Sequence, residues 1–233
     1  MPTVGFSTGA LALGDFERGL SMLASKHADA VELSALRSVE LSRLLNAVSS
    51  RLEELKGRYK YISFHAPTDF QNESGLVERL KGIAQHGFNI VVHPDTIRNV
   101  ELWRQLGSHL CIENMDSRKA TGRTAKELRW FFESLPDAKL CFDIAHARQV
   151  DPTMTEAVRI LTDFGDRLAQ VHLSEVNSKG KHFAMSLVAK RAYEPLAEML
   201  SSVPVILESP VDASGIDPEI EAVHKLLART CQV

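Results

Sequence analysis

The chain has 233 residues, 44% of them apolar and 24% charged, with a formal net charge of −3. Nothing in it approaches the ~20 consecutive apolar residues a membrane-spanning helix requires, and its slightly acidic balance offers no bulk attraction for nucleic acid. Three cysteines argue against a disulfide framework and for a reducing compartment; with no signal peptide apparent, a cytoplasmic location is expected.

In chain order, eight short apolar runs read as strands. They are Val4-Gly5-Phe6, Ala30-Val31-Glu32-Leu33, Tyr61-Ile62-Ser63-Phe64-His65, Ile90-Val91-Val92-His93, Leu110-Cys111-Ile112-Glu113, Leu140-Cys141-Phe142-Asp143, Gln170-Val171-His172 and Val205-Ile206-Leu207-Glu208. Between and after them lie segments with helical spacing of apolar residues: Phe16 to Leu23, Leu41 to Leu55, Leu76 to Ile83, Ile97 to Leu106, Leu128 to Leu135, Ala157 to Phe164, Leu196 to Leu200 and Ile220 to Leu227. Helix punctuation agrees with this division. Asp15 opens the first helix, Thr124 with Glu127 forms a capping box, and Asp151-Pro152 and Asp217-Pro218 each place a cap before a first-turn proline.

Short apolar runs alternating strictly with helices favour parallel strands buried on both faces. Eight such units predict a single (β/α)8 TIM barrel, near the lower end of the size that barrel needs. A doubly wound open sheet is the alternative, and it supplies no reason for polar residues at so many strand ends. No linker, low-complexity tract or charge block marks a boundary, so residues 1–233 are expected to form one domain.

Four successive strands, the fifth to the eighth, end in Glu113, Asp143, His172 and Glu208, spaced 30, 29 and 36 residues apart. That spacing is about one strand-helix unit, so the four side chains are expected at one height around the barrel mouth. Three carboxylates at one point repel one another and take up protons, whereas a divalent cation keeps them ionised. Metal binding is therefore the favoured reading over four separate helix caps. His65 and His93 end the third and fourth strands in the same way. Glu32 ends the second strand and is not assigned to the site. Cys111 and Cys141 precede Glu113 and Asp143 by two residues, which points them into the barrel as small buried hydrophobes.

Basic residues follow three consecutive strands: Arg118, Lys119 and Arg123 after the fifth, Arg148 after the sixth, and Lys179, Lys181 and His182 after the seventh. A barrel places these loops around its active-site mouth. The coincidence favours a small anionic substrate, such as a sugar phosphate or another phosphate ester, with Arg118, Arg123, Arg148, Lys179 and Lys181 as its contacts.

The strings Phe64-His65-Ala66-Pro67, Val92-His93-Pro94-Asp95, Ile112-Glu113-Asn114, Phe142-Asp143-Ile144-Ala145-His146, Val171-His172-Leu173 and Leu207-Glu208-Ser209-Pro210 together resemble the xylose isomerase-like TIM-barrel superfamily. That superfamily includes sugar isomerases, sugar epimerases and endonuclease IV. The resemblance runs from the third strand to the eighth, and the first two strands match only in pattern.

The resemblance implies that Glu113, Asp143, His172 and Glu208 hold one Mn²⁺, Mg²⁺, Co²⁺ or similar ion, that Glu113 and Glu208 also move substrate protons, and that His146 contacts a substrate oxygen. The implied chemistry is isomerisation or epimerisation of an open-chain sugar or sugar phosphate through an enediolate. Likeness to endonuclease IV implies a wider zinc set. There His65 and His93 join Glu113 at one zinc, and His146 and His182 resemble two ligands of another. Gly180 stands where that pattern has an Asp, which argues against a third zinc and leaves room for two. The resulting expectation is a metal-dependent isomerase or epimerase, with a zinc-dependent phosphodiester hydrolase second and a non-catalytic metal- or ligand-binding barrel third. A nucleic-acid partner is disfavoured, no membrane partner is expected, and the oligomeric state is left open.

Overall fold

The structure, a computed structural model, describes residues 2–228; the third cysteine, Cys231, lies outside them. Eight parallel strands close into a barrel: β1 (Val4–Ser7), β2 (Ala30–Ser34), β3 (Tyr61–His65), β4 (Asn89–Val92), β5 (Leu110–Glu113), β6 (Lys139–Asp143), β7 (Leu168–Leu173) and β10 (Val205–Leu207). Each pairs with its neighbour in sequence, and β1 closes on β10. A two-stranded antiparallel hairpin, β8 (Glu175–Val176) with β9 (His182–Phe183), is inserted after β7. This is a (β/α)8 TIM barrel.

Alternation along the strands divides the interior into two zones. One face of each strand, including Phe6, Val31, Leu33, Phe64, Ile112, Phe142 and Leu207, packs outward in one large apolar core. That core takes in the inner faces of helices Phe16–Leu23, Ser38–Ser50, Glu73–Gln85, Ala125–Ser134, Thr155–Phe164 and Ile216–Ala228. The other face lines the barrel, where Val91, Cys111 and Cys141 form a small separate cluster. Burial pushes the Cys111 thiol up to about 12 and Cys141 up as well, as expected of packing groups rather than nucleophiles.

Gly5 is required by the closure itself. It is paired with Ala30 in the β1–β2 register, and a Cβ there would fall on the Ala30 carbonyl of the adjacent strand.

The helices depart from the periodicity in instructive ways. The segment Leu41 to Leu55 is two helices, Ser38–Ser50 and Leu52–Arg58, broken at Arg51 with φ −118° and ψ 18°. Between Ile97 and Leu106 there is only Val100–Trp103 followed by a 3₁₀ segment. An additional helix, Leu187–Tyr193, precedes Ala197–Leu200. Its Leu187 and Val188 are 73% and 66% exposed, so its apolar residues do not mark a buried stripe.

Caps follow the same pattern. Asp15 accepts the Arg18 N–H at 3.2 Å, and Thr124 accepts the Glu127 N–H at 3.2 Å. Glu127 reaches past Thr124 to accept the Arg123 N–H at 2.8 Å. Asp151 does not start a helix at Pro152. The helix begins at Thr155 after a left-handed Met154, and Asp151 accepts the Thr153 and Glu156 N–H groups. Asp217 lies inside the first turn of Ile216–Ala228 and accepts the His27 N–H at 3.0 Å. Among the described residues no helix is long and apolar enough to cross a membrane.

Candidate metal centre

The ends of β5 and β6 are locked together by Asn114. Its amide donates to the Asp143 carbonyl and accepts the Asp143 N–H, each at 2.8 Å. Asp143 then caps the helix Ile144–Val150, its Oδ1 accepting the His146 N–H at 2.7 Å. The His146 ring is tied back through Nδ1 to the Asn114 carbonyl at 3.0 Å. Four interactions thus fix Glu113, Asp143 and His146 relative to one another, and each uses a backbone group.

Among the described residues, ligand atoms gather in two groups whose members lie within 4.8 Å of one another: Glu113, Asp143, His172 and Glu208, and His65, His93 and Glu113. Glu113 belongs to both, one oxygen to each. Its Oε1 is 3.2 Å from His172 Nδ1, and its Oε2 is 3.3 Å from His65 Nε2 and 3.2 Å from His93 Nε2. Glu208 Oε1 is 3.5 Å from His172 Nδ1, and Glu208 Oε2 is 3.4 Å from His182 Nδ1. Asp143 Oδ2 is buried and has no hydrogen-bond partner, its nearest cationic group being His146 Nδ1 at 3.3 Å, which is already bonded to the Asn114 carbonyl. That orphan oxygen, aimed where two further carboxylates converge, is what a divalent cation would satisfy. The donor set is mostly oxygen with one imidazole, which suits a hard or borderline ion.

Electrostatics agree with the geometry. Burial pushes the Asp143 carboxyl up to about 6, with Glu208 and Glu113 adding to the rise against the pull of His146. Burial acts on Glu113 in the same direction, but the His172, His65 and His93 rings hold it well below the usual carboxylate range. Burial lowers His65, yet Glu113 and Glu32 lift it to about 8. His172 is raised well above its ordinary value by Cys141, Glu32, Glu208 and Glu113 despite full burial. His93 is lowered, chiefly by burial.

Above these groups opens a cavity of about 460 Å³, whose lining includes His65, His93, Glu113, His146, His182 and Glu208. The lining also includes apolar Ala10, Leu13, Leu36 and Pro210 and basic Arg118, Lys119 and Lys181. The basic rim is narrower than the sequence suggested. Arg123 is bound to Glu127 at 2.6 Å and Arg148 to Glu175 at 3.0 Å, and neither lines the cavity. Lys179 contributes its carbonyl, which accepts from Arg118 at 2.8 Å, while its side chain is not part of the lining. Glu127, one helical turn after Arg123, and Glu175, on the hairpin after β7, account for the first two.

His182 is carried over the mouth by the β8–β9 hairpin, with its ring centroid 5.6 Å from that of His146, and it joins neither ligand group. Gly180, in that hairpin, has φ +69°, and a Cβ on it would fall inside the Arg118 guanidinium. Arg118 is forked onto buried Asp116 at 3.0 and 2.5 Å, so a fixed cation occupies the ground beside Gly180.

Three buried residues beside the site are not among those that the sequence assigns to it, although Glu32 stands out there as the end of the second strand. Asp116 holds Arg118; Glu32 and Gln170 lie beneath His172, with Glu32 Oε2 3.0 Å from His172 Nε2. The available signal was a charged residue inside the apolar run Ala30-Val31-Glu32-Leu33, and a glutamine two residues before His172, hence on the same face of β7.

No protein-family model matches the chain, and no curated protein matches its sequence. Solved structures do resemble it. A D-psicose 3-epimerase with D-tagatose from Clostridium cellulolyticum H10 is 13% identical over 100% of both chains, with a TM-score of 0.61. A xylose isomerase domain protein from Alicyclobacillus acidocaldarius subsp. acidocaldarius is 14% identical over 96% of this chain and 97% of its own, at 0.68. A xylose isomerase-like TIM barrel protein from Mycobacterium smegmatis, in complex with magnesium, is 11% identical over 97% of each chain, at 0.56. The likeness is one of fold: the chain shares the (β/α)8 barrel of these structures.

Proposed function

We propose that this protein is a divalent-metal-dependent isomerase or epimerase of a small sugar or sugar phosphate, acting through an enediolate. The observation that carries the reading is the convergence of Glu113, Asp143, His172 and Glu208 on one point beneath the cavity. The fold likeness to an epimerase crystallised with D-tagatose supports it. The cavity volume of about 460 Å³ suits a monosaccharide-sized ligand.

In this reading Glu113, Asp143, His172 and Glu208 hold one ion of the Mn²⁺, Mg²⁺ or Co²⁺ kind. When bound, the ion supplies positive charge that polarises the substrate carbonyl. Of Glu113 and Glu208, one removes the proton from the carbon beside the carbonyl and the other returns a proton to the neighbouring carbon or the opposite face. Glu208 is the more accessible of the two, with 15% of its side chain exposed against 2% for Glu113. His146, buried and lining the cavity, is raised by Asp143 and Glu113 against burial and donates a hydrogen bond to a substrate oxygen. Arg118 and Lys181 receive an anionic group at the mouth.

The His65, His93 and Glu113 group favours a second reading, a zinc-dependent phosphodiester hydrolase in which each of the two groups that share Glu113 would hold an ion. Elemental mass spectrometry on protein purified without chelator or affinity metal separates the two. One Mn, Mg or Co per chain is expected; two or three zinc ions per chain move the hydrolase to first place. Turnover is tested by incubating ketoses and ketose phosphates with the metal-loaded protein in D₂O. Deuterium appears at a carbon beside the carbonyl if the proposal holds, and no exchange in any of them at full metal occupancy sinks it in favour of a non-catalytic barrel.

A further inference from the structure

Glu32 stands within β2, fully buried, outside the cavity lining and outside both ligand groups. Its Oε2 accepts from Ser63 Oγ at 3.0 Å and Gln170 Nε2 at 2.8 Å, and lies 3.0 Å from His172 Nε2. Gln170 is held in turn by the Tyr61 hydroxyl at 2.6 Å, and that hydroxyl accepts from Asn89 Nδ2 at 2.9 Å. A hydrogen-bonded column therefore rises inside the barrel from Asn89 at the start of β4 and ends on the His172 ring.

His172 has two ring nitrogens with separate surroundings. Nδ1 faces Glu113 Oε1 at 3.2 Å and Glu208 Oε1 at 3.5 Å, while Nε2 faces Glu32. Gln170 Nε2 also lies 2.9 Å from His172 Nε2. The Gln170 amide nitrogen donates to Glu32 Oε2, so it and His172 Nε2 are brought together around that one oxygen. An imidazole that donates one N–H to a carboxylate presents its other nitrogen as the lone pair, in a fixed orientation and with greater basicity.

We propose that Glu32 is the positioning residue for His172: it holds Nε2–H and so turns Nδ1 to the point shared with Glu113, Asp143 and Glu208. The inference rests on the metal-dependent reading of that point. It assigns a role to a buried carboxylate that a packed barrel core would otherwise disfavour. Ser63 and Gln170 act through Glu32, and Tyr61 and Asn89 hold Gln170 with its amide nitrogen toward it.

The test is Mn²⁺ titration of Glu32→Gln beside the wild-type chain, with circular dichroism to establish that the variant is folded. Gln keeps the shape and removes the anionic acceptor. Its affinity for Mn²⁺ is expected to fall by about 10–100-fold, with a smaller loss in Ser63→Ala, which removes one donor that holds the same oxygen and leaves the anionic acceptor in place. A folded Glu32→Gln variant with wild-type affinity overturns the proposal and leaves the metal-dependent reading standing. Wild-type protein that binds no Mn²⁺ or Zn²⁺ overturns both. The second measurement needs no variant. In Zn²⁺-loaded wild type, ¹⁵N-resolved spectra are expected to show His172 with a protonated Nε2 and a metal-bound Nδ1, and a metal-bound Nε2 overturns the proposal.

Discussion

At the scale of single residues, the division of labour within Asp143 shows how the site is built. Oδ1 caps the following helix while buried Oδ2 is left with no hydrogen-bond partner, so local structure fixes the side chain and leaves an oxygen for a ligand. Asp143→Ala and His172→Ala are each expected to lose the ion and any activity together, by elemental analysis and the exchange assay. Full metal occupancy in either variant would remove that residue from the site. Gly180 makes a second prediction. Because a Cβ there would fall inside the Arg118 guanidinium, and φ is +69°, Gly180→Ala displaces the cation from the mouth. KM for an anionic substrate should rise by about tenfold, equivalent to ~1.4 kcal/mol of binding, with the metal retained. An unchanged KM in both Gly180→Ala and Arg118→Ala would mean that this guanidinium does not meet the substrate. At this scale the sequence made the strand-end residues legible, because their spacing reports their height in the barrel. It did not place Asp116, whose partner Arg118 is only two residues on, or Glu32, whose partners Ser63, Gln170 and His172 lie on other strands. Glu175, which holds Arg148 away from the cavity, was hidden by its distance in the chain, whereas Glu127 is four residues from Arg123 and within reach of sequence reasoning.

At the scale of elements, strand closure depends on contacts that the apolar runs do not encode. Gly5→Ala would drive a methyl group into the Ala30 carbonyl of β2, with no flexible side chain to yield. Such overpacking typically costs about 1–3 kcal/mol. Urea unfolding of the metal-free chain should show the midpoint lowered at unchanged m-value, and a midpoint equal to wild type would mean that the β1–β2 spacing relaxes freely. All eight barrel strands were legible as short runs rich in apolar residues, because the outward face of each is buried against helices, even where Glu32, Ser63 and Gln170 interrupt the barrel-facing side. Helices were legible where one face is buried, as in Phe16–Leu23, and poorly so where exposure breaks the stripe, as in Leu187–Tyr193. The β8–β9 hairpin, two residues per strand, is too short for any period to register. It nevertheless carries His182 and Gly180 to the mouth.

At the scale of the whole molecule, the buried charges couple metal, protons and stability. In the metal-free chain the Asp143 carboxyl is raised to about 6 from an ordinary 3.8. The stability it contributes is therefore fully present below pH ~4 and lost as pH rises through about 6. His65, raised from 6.5 to about 8, contributes stability that is present below pH 6.5 and lost as pH rises through 8. His172 and His146 are shifted upward too and act with the same sign; His93, shifted downward, opposes them. The expected result is a metal-free Tm that falls as pH rises from 5 to 8.5. Metal binding runs the other way, because protons leave Asp143 and His172 as the ion enters and affinity rises with pH. At a free metal concentration of 100 times Kd the gain is about 2.7 kcal/mol, so the Tm gap between loaded and metal-free protein should widen across the same pH range. Calorimetric scans with and without saturating Mn²⁺ at pH 5, 6, 7 and 8.5 measure both slopes. A metal-free Tm that climbs with pH would mean that the carboxylates under the cavity are not crowded enough to hold protons, and the physical reason for placing a cation among Glu113, Asp143 and Glu208 would fall with it.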